Sequence, residues 1–460
     1  MKYFNFDPAN LVYRTKLLTS ELSIYEIFQR FYQVFDTVIL LESLGEYSDF
    51  SRYSVLLFEP YTHVTARQGE LRVDGKKYQV DNPFEELQEI RQIKLDASGY
   101  CGGLFGYISY EGTKYLDEVG GFGSNDLFYD FEFGLFLDGL VYDKQTGELS
   151  YFYLLEDRAY LIKEALSKPF GLGDFSYEEL GSDTSLDEYV EMVKKCKDHI
   201  LAGDVFQVVL SMQFHYRLRG NYLLIYDQLR QINPSPYLSY IKFGQREIIT
   251  SSVDLVVRLR NDSSGLWGAR IENFPLAGTT IRGQTPEEDE SLFEQLVNDE
   301  KERAEHIMLV DLGRNDVGRV CNFGSVQVTQ FMVPKRFSHV QHIESKIEGE
   351  VREDKDMFDC LRATAPMGTV TGAPKIEAMR IINNLEKNAR GPYSGELGGF
   401  GLNGECIFSV GLRSLFISGE IAYTQVGSGI VHDSTPDYEY REIMRKGNGM
   451  LRAIKEASKI

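Results

Sequence analysis

Apolar positions repeat at intervals of three and four along several stretches of the chain. Leu186, Tyr189, Val190, Val193 and Ile200 fall on one helical face, and the pattern stops at Gly203, a residue suited to a left-handed helix end. The next run, 205–214 (VFQVVLSMQF), is β-branched and aromatic and predicts a strand. Helical spacing returns over 292–309 and 436–454, and strand-like runs occupy 248–259, 406–417 and 421–426. The gap at 418–420 has hairpin length, so the predicted fold class is α+β, with largely antiparallel sheets and surrounding helices. The stretch 168–185 (KPFGLGDFSYEELGSDTS) is rich in Gly, Ser and acids and predicts a boundary between an N-terminal part, 1–178, and a C-terminal part, 179–460.

Two of the helical segments carry acids three residues apart, Glu302 with Glu305 and Glu439 with Glu442, so each pair shares a helix face. Thr435 can cap the second helix and Pro436 suits its first turn. On that helix Tyr440, Ile443, Met444, Met450, Leu451 and Ile454 form the expected buried stripe, leaving Glu439 and Glu442 to face a cleft. Two carboxylate pairs converging from separate helices suit a hard octahedral cation such as magnesium. The same spacing, with Lys446 four residues after Glu442, also describes an ordinary solvated helix.

With 460 residues and 43% hydrophobic content, the chain can bury more than one ordinary core and is expected to be a soluble globular protein. Acids outnumber Lys plus Arg by 69 to 49, and the formal charge of -20 disfavours nucleic acid and anionic membrane as partners. An anionic substrate then needs a local positive pocket or a bound cation. The five cysteines, Cys101, Cys196, Cys321, Cys360 and Cys406, are scattered and unpaired in spacing, which argues against disulfides and zinc and for a reducing cytosol. No apolar stretch reaches about 18 residues, so neither secretion nor membrane spanning is expected, and the location expected is cytoplasmic.

Eight motifs occur in order: AGDVFQVVLS (202–211), INPSPY (232–237), FPLAGTTIRG (274–283), ERAEHIMLVDLGRNDVGRV (302–320), FSHVQHIES (337–345), LRATAPMGTVTGAPKIEAM (361–379), ARGPYSGELGGF (389–400) and GSGIVHDSTPDYEYREIMRKG (427–447). Together they resemble the chorismate-utilising enzymes, a family that includes the anthranilate, aminodeoxychorismate, isochorismate and salicylate synthases. The resemblance implies that Glu305 and Glu442 ligate magnesium, with Glu302 and Glu439 nearby through water. It implies that Arg413 and the backbone N–H groups of Gly427, Ser428 and Gly429 hold the enolpyruvyl carboxylate of chorismate. His342 would give acid–base or electrostatic help, while Gly278, Thr279 and Thr369 would line the ring pocket and Lys446 would add charge.

Within the family, two positions point to ammonia as the nucleophile. Gln207 stands where the water-adding members resemble one another in having a lysine, and an amide cannot act as the base that water needs. Ala277 stands where aminodeoxychorismate synthases typically carry lysine. The implied reaction is that of an anthranilate synthase large subunit: chorismate and ammonia give anthranilate and pyruvate, the first step of tryptophan biosynthesis. An aminodeoxychorismate synthase and a non-catalytic tryptophan-binding paralogue are the alternatives. LLES (40–43) with INPSPY resembles a tryptophan pocket, implying feedback inhibition through Ser43, Pro236, Tyr237 and Leu238. SRYSVLLFEP (51–60) extends that likeness.

The sequence departs from the family at Asp254, where a glutamate one methylene longer is usual, and at Gly399, where a tyrosine is usual. Asp254 is nevertheless expected in the active site. None of the cysteines sits in a G-x-C-x-G setting, so a separate glutamine amidotransferase subunit is implied as the source of ammonia.

Overall fold

A computed structural model of the chain describes residues 1–44, 52–93, 95–97, 99–261, 268–337 and 340–460. Ser51 and residues 338 and 339, which belong to two of the motifs above, lie outside the described residues. The strands form two sheets of twelve, and every strand pairing among the described residues is antiparallel. The α+β expectation with largely antiparallel sheets holds.

Period-two alternation builds the layers. In strand Thr37–Glu42, Val38 and Leu40 join one apolar cluster while Ile39, between them, joins another. The Ile39 cluster includes Val55, Phe105, Tyr107, Ile248, Phe416 and Tyr423, which come from strands of both sheets, so it fills the space between the two sheet faces. Val38, Leu40, Leu56 and Leu415 instead pack on helices Ile24–Val34, Leu223–Ile232 and Pro436–Ala457. The outer face of the second sheet packs on Glu300–Gly318 and Met357–Thr364 through Val310, Val317, Phe358 and Leu361. The architecture is therefore helix, sheet, sheet, helix.

Both parts of the chain enter both sheets. Thr37–Glu42 pairs with Tyr237–Phe243 in one sheet, and Gly103–Ile108 pairs with Glu396–Gly401 in the other. The expected division after residue 178 falls inside strand Phe175–Ser182, which pairs with Gln207–Gly220. The Gly, Ser and acidic residues here mark a solvent-facing outer strand, not a linker.

Several predicted elements are found with altered limits. Helix Leu186–Ala202 ends at Gly203 with φ +85°, and Ser185 caps it with Glu188 in a reciprocal pair. The predicted helix 292–309 is two helices, Pro286–Asn298 and Glu300–Gly318, because Asp299 leaves the helical conformation to cap the second. The runs 248–259 and 406–417 are each broken in two: Arg246–Ser252 and Leu255–Arg260, and Cys406–Val410 and Ser414–Ser418. In each case the two halves belong to different sheets, so the chain crosses between sheets at 253–254 and again at 411–413.

Arg390 locks the elements around this crossing. It is fully buried, and its side chain donates to both Glu386 oxygens (2.8 and 2.6 Å), to the Val370 carbonyl (2.9 Å), to the Val209 carbonyl (2.7 Å) and to the Ser394 hydroxyl (3.2 Å). Its guanidinium lies by the rings of Tyr110 and Tyr393, at 4.8 and 5.5 Å. Arg390→Met would strand the Glu386 charge in the interior and is expected to lower unfolding free energy by about 3–5 kcal/mol. Urea denaturation checks this, and a loss under about 1 kcal/mol would contradict the role given to the pair.

Candidate active site

The two chain crossings lie side by side and carry the site's central charges. Thr250 pairs with Ser414 in one sheet and Leu255 with Ser409 in the other, while the Val410 N–H donates to the Asp254 carbonyl at 3.1 Å between them. Gly411 is required here, since a side chain would run into the Pro392 carbonyl. Arg413 adopts φ +50°, a left-handed conformation that costs a non-glycine residue about 1–3 kcal/mol and must be held by its surroundings. Leaving the strand direction in this way takes Arg413 towards Asp254 and His342.

Asp254 is buried, and burial pushes its carboxyl up to about 6, with the Arg413 guanidinium and the Thr369 hydroxyl (3.5 Å) pulling the other way. Arg413 itself is lowered by burial, an effect that Asp254 opposes. Thr369 sits in the short turn Gly368–Val370, which Arg390 fastens through the Val370 carbonyl.

His342 lies on strand Val340–Glu350, opposite Thr279 of Leu276–Ile281. A bulge at Gly278 (φ +70°) turns the Gly278 carbonyl onto His342 Nδ1 at 2.8 Å. A carbonyl only accepts, so Nδ1 carries the proton and Nε2 presents a lone pair, 3.5 Å from Arg413 Nη2. Burial first and then Arg413 hold the imidazole down at about 4, with the Gly278 carbonyl opposing them. The Thr279 hydroxyl approaches the same Nδ1 at 3.0 Å, and Ala277 faces Ile343 across the ladder.

The two acidic helices close the other side. Gln207 Nε2 donates to Glu305 at 2.8 Å, and its Oε1 is buried without a hydrogen-bond partner. A side chain at Gly278 would lie 3.1 Å from Glu302, which sets the Glu302 carboxylate against the bulge. Burial raises the Glu302 carboxyl, and the nearby charges of Glu305 and Glu442 raise it further. Lys446 pairs with Glu442 at 2.6 Å and donates to the Gly427 carbonyl at 3.3 Å. Gly427 and Gly429 share a strand face: a side chain on the first would meet the Tyr393 hydroxyl at 2.7 Å and one on the second would meet Gln207. The Ser428 hydroxyl points to the opposite face, 3.1 Å from Tyr189, so only its backbone is directed with the glycines.

Three residues differ from expectation in their surroundings. Glu439 is buried and close to Tyr189, whereas Met444 of the expected buried stripe is 40% exposed; Ile443, Met450 and Ile454 of that stripe are buried as expected, and Glu442 pairs with Lys446. Gly399 packs against Phe105 in the core between the sheets, where no side chain would fit. Thr435 occupies the cap position of that helix but makes no side-chain cap bond. A cleft of about 620 Å³ leads to Glu305 from outside, lined by Phe206, Lys301, Met308 and His432; Lys301 lies outside the motifs, and the other three lie within them but carried no expected role.

Among the described residues, no three His, Cys, Asp or Glu side chains form a compact group able to hold a metal ion. Glu305 is turned to Gln207 and Glu442 to Lys446. The chemistry of the donors still suits a hard divalent cation: Glu302, Glu305 and Glu442 are acceptor-only oxygens whose mutual repulsion, seen at Glu302, a cation would relieve.

A family model for chorismate binding enzymes matches residues 37–452. The chain belongs to the chorismate binding enzyme family. Relatives are similar over nearly its full length. It is 43% identical to the anthranilate synthase component 1 of Methanothermobacter thermautotrophicus over 437 residues, covering 94% of this chain and 92% of that protein. It is 35% identical to the aminodeoxychorismate synthase component 1 of Bacillus subtilis over 446 residues, 90% of this chain and 91% of that one. Among solved structures, anthranilate synthase component I from Streptococcus pneumoniae TIGR4 matches with TM-score 0.76 and 31% identity, over 89% of this chain and 94% of that chain.

The segments expected to hold tryptophan are neighbours. Leu238 pairs with Glu42, and the Leu44 N–H donates to the Ser235 carbonyl at 2.8 Å, next to Pro236 and Tyr237. The buried hydroxyls of Ser43 and Ser235 have no hydrogen-bond partner among the described residues. Tyr237 pairs with Ser252, two residues before Asp254, so these segments and the crossing share one strand pair.

The sign of the His342 shift sets a prediction. Its folded pKa lies below the ordinary 6.5, so the folded state binds fewer protons, and this residue favours folding above about pH 6.5 and less so as pH falls towards 4. Nitrogen NMR of labelled histidine should show a neutral Nδ1–H ring for His342 from about pH 5 to 8. A midpoint near 6.5 would contradict the assigned environment.

Proposed function

We propose that this chorismate-utilising enzyme is the large subunit of an anthranilate synthase, converting chorismate and ammonia to anthranilate and pyruvate. The observation that carries the reading is the convergence of Arg413, His342, Asp254 and three carboxylates on one buried crossing, with an amide, Gln207, and a methyl group, Ala277, where other chemistries need an amine. Ammonia is a competent nucleophile as it arrives, so neither position has to activate it.

Magnesium, held by Glu305 and Glu442 with Glu302 nearby, would cancel the charge of the ring carboxylate and polarise the ring. Arg413 offers its planar fork to the enolpyruvyl carboxylate, and the backbone of Gly427–Gly429 allows close approach on the same side. Ammonia forms a bond to C2 as the ring double bonds shift and the C4–oxygen bond breaks; the hydroxyl leaves as water with a proton from Asp254, whose carboxyl is raised to about 6, and the new ammonium nitrogen gives up a proton in return. The C2 proton then passes to a base and the enolpyruvyl oxygen leaves as pyruvate. His342 Nε2 takes that proton in this reading, which the Gly278 contact supports by holding the proton on Nδ1. Aromaticity of the ring drives the second step.

Ammonia would come from a separate glutamine amidotransferase subunit. Tryptophan would inhibit from the pocket at Ser43 and Pro236–Leu238, acting through the strand pair that leads to Asp254. The second reading, an aminodeoxychorismate synthase, draws on the Bacillus subtilis relative. Ala277 weighs against it, since no amine faces the ring from that strand.

Purified chain with chorismate, magnesium and excess ammonium at alkaline pH should yield fluorescent anthranilate. Glu305→Gln and Glu442→Gln should each lower kcat/KM by about 100-fold or more, and chelation should abolish turnover. A 4-amino product in place of anthranilate would overturn the assignment, and undiminished turnover in chelator would overturn the role of the metal.

A further inference from the structure

The pocket edge at Ser43 holds a cation that no motif marked. Lys144 follows strand Asp138–Asp143, and its backbone N–H donates to the Arg52 carbonyl at 2.9 Å. From there its side chain reaches across the start of the neighbouring strand, Tyr53–Phe58, and its ammonium donates to the Ser43 carbonyl. This ammonium has no carboxylate within ion-pair distance among the described residues. The nearest acidic field is that of Glu42, but Tyr226 (2.9 Å) and Arg230 (2.7 and 3.3 Å) already occupy its carboxylate. Burial lowers the Lys144 pKa, and the Glu42 charge opposes it.

The surroundings are polar and unspent. The Ser43 and Ser235 hydroxyls are both buried without partners among the described residues, and they flank the backbone to which Lys144 is bound: Ser43 by its own carbonyl and Ser235 through the Leu44 N–H. A half-buried ammonium beside two unpartnered hydroxyls is complementary to a carboxylate, which accepts several hydrogen bonds and supplies the missing charge. We propose that Lys144 is the carboxylate anchor of the inhibitor site and selects an amino acid over the corresponding amine. This rests on the tryptophan reading given above.

Calorimetric titration of the full chain with L-tryptophan and with tryptamine, which lacks the carboxylate, tests both. The wild type is expected to bind tryptophan about tenfold or more tightly than tryptamine. Lys144→Met should weaken tryptophan by about tenfold or more and bring the two ligands to within about threefold, whereas Lys144→Arg should keep the preference. Equal binding of tryptophan and tryptamine by the wild type overturns the anchor without recourse to any variant. So does a Lys144→Met chain that binds tryptophan as the wild type does, and in both cases the tryptophan reading stands. A wild type that binds neither ligand overturns that reading and the anchor with it.

Discussion

Two neighbouring strands leave one sheet and enter the other at the same place, and the candidate active site depends on that shared crossing. An antiparallel pair can change sheets only if both members turn together, because each supplies the other's hydrogen bonds. At 253–254 and 411–413 the ladder is interrupted, the Asp254 carbonyl and the Val410 N–H close the gap, and Gly411 lets the backbones pass. The interruption frees two residues from strand alternation. Asp254 and Arg413 can therefore point into the space between the acidic helices and the His342 strand, positions that a continuous sheet face would not have offered.

Arg390 stabilises this break from beneath. Its contacts join strand Gln207–Gly220, through Val209, to the turn that carries Thr369, through Val370, and Glu386 neutralises its charge within the interior. Gln207 and Thr369 thus stand on elements fastened to a single guanidinium, which keeps the partners of Glu305 and Asp254 in register. The electrostatic result is a site of opposed fields. Burial lowers the His342 pKa and raises that of Asp254, and Arg413 acts on both.

Much of this was legible in the sequence. The i,i+3 acids announce helix faces because helical geometry maps spacing onto direction, and Glu302, Glu305 and Glu442 lie where that mapping sends them. The burial of Glu439 and the exposure of Met444 were not legible, since they follow from how the last helix packs near Tyr189. Nor were the crossings. Apolar alternation persists through 248–259 and 406–417, because each half-strand still has one face in a core, whichever sheet it joins. No local pattern in the sequence marks Arg390 or Lys144 individually. Their roles come from partners far along the chain, which local patterns do not encode.

The account stands most directly on Arg413, the residue that the crossing releases and holds in a left-handed conformation. Steady-state kinetics of Arg413→Lys with chorismate as the varied substrate isolates its part, since lysine keeps the charge but loses the planar fork. The chorismate KM is expected to rise by about 10- to 100-fold, with kcat falling less. A KM within about twofold of the wild type would contradict the placing of the substrate carboxylate at the crossing.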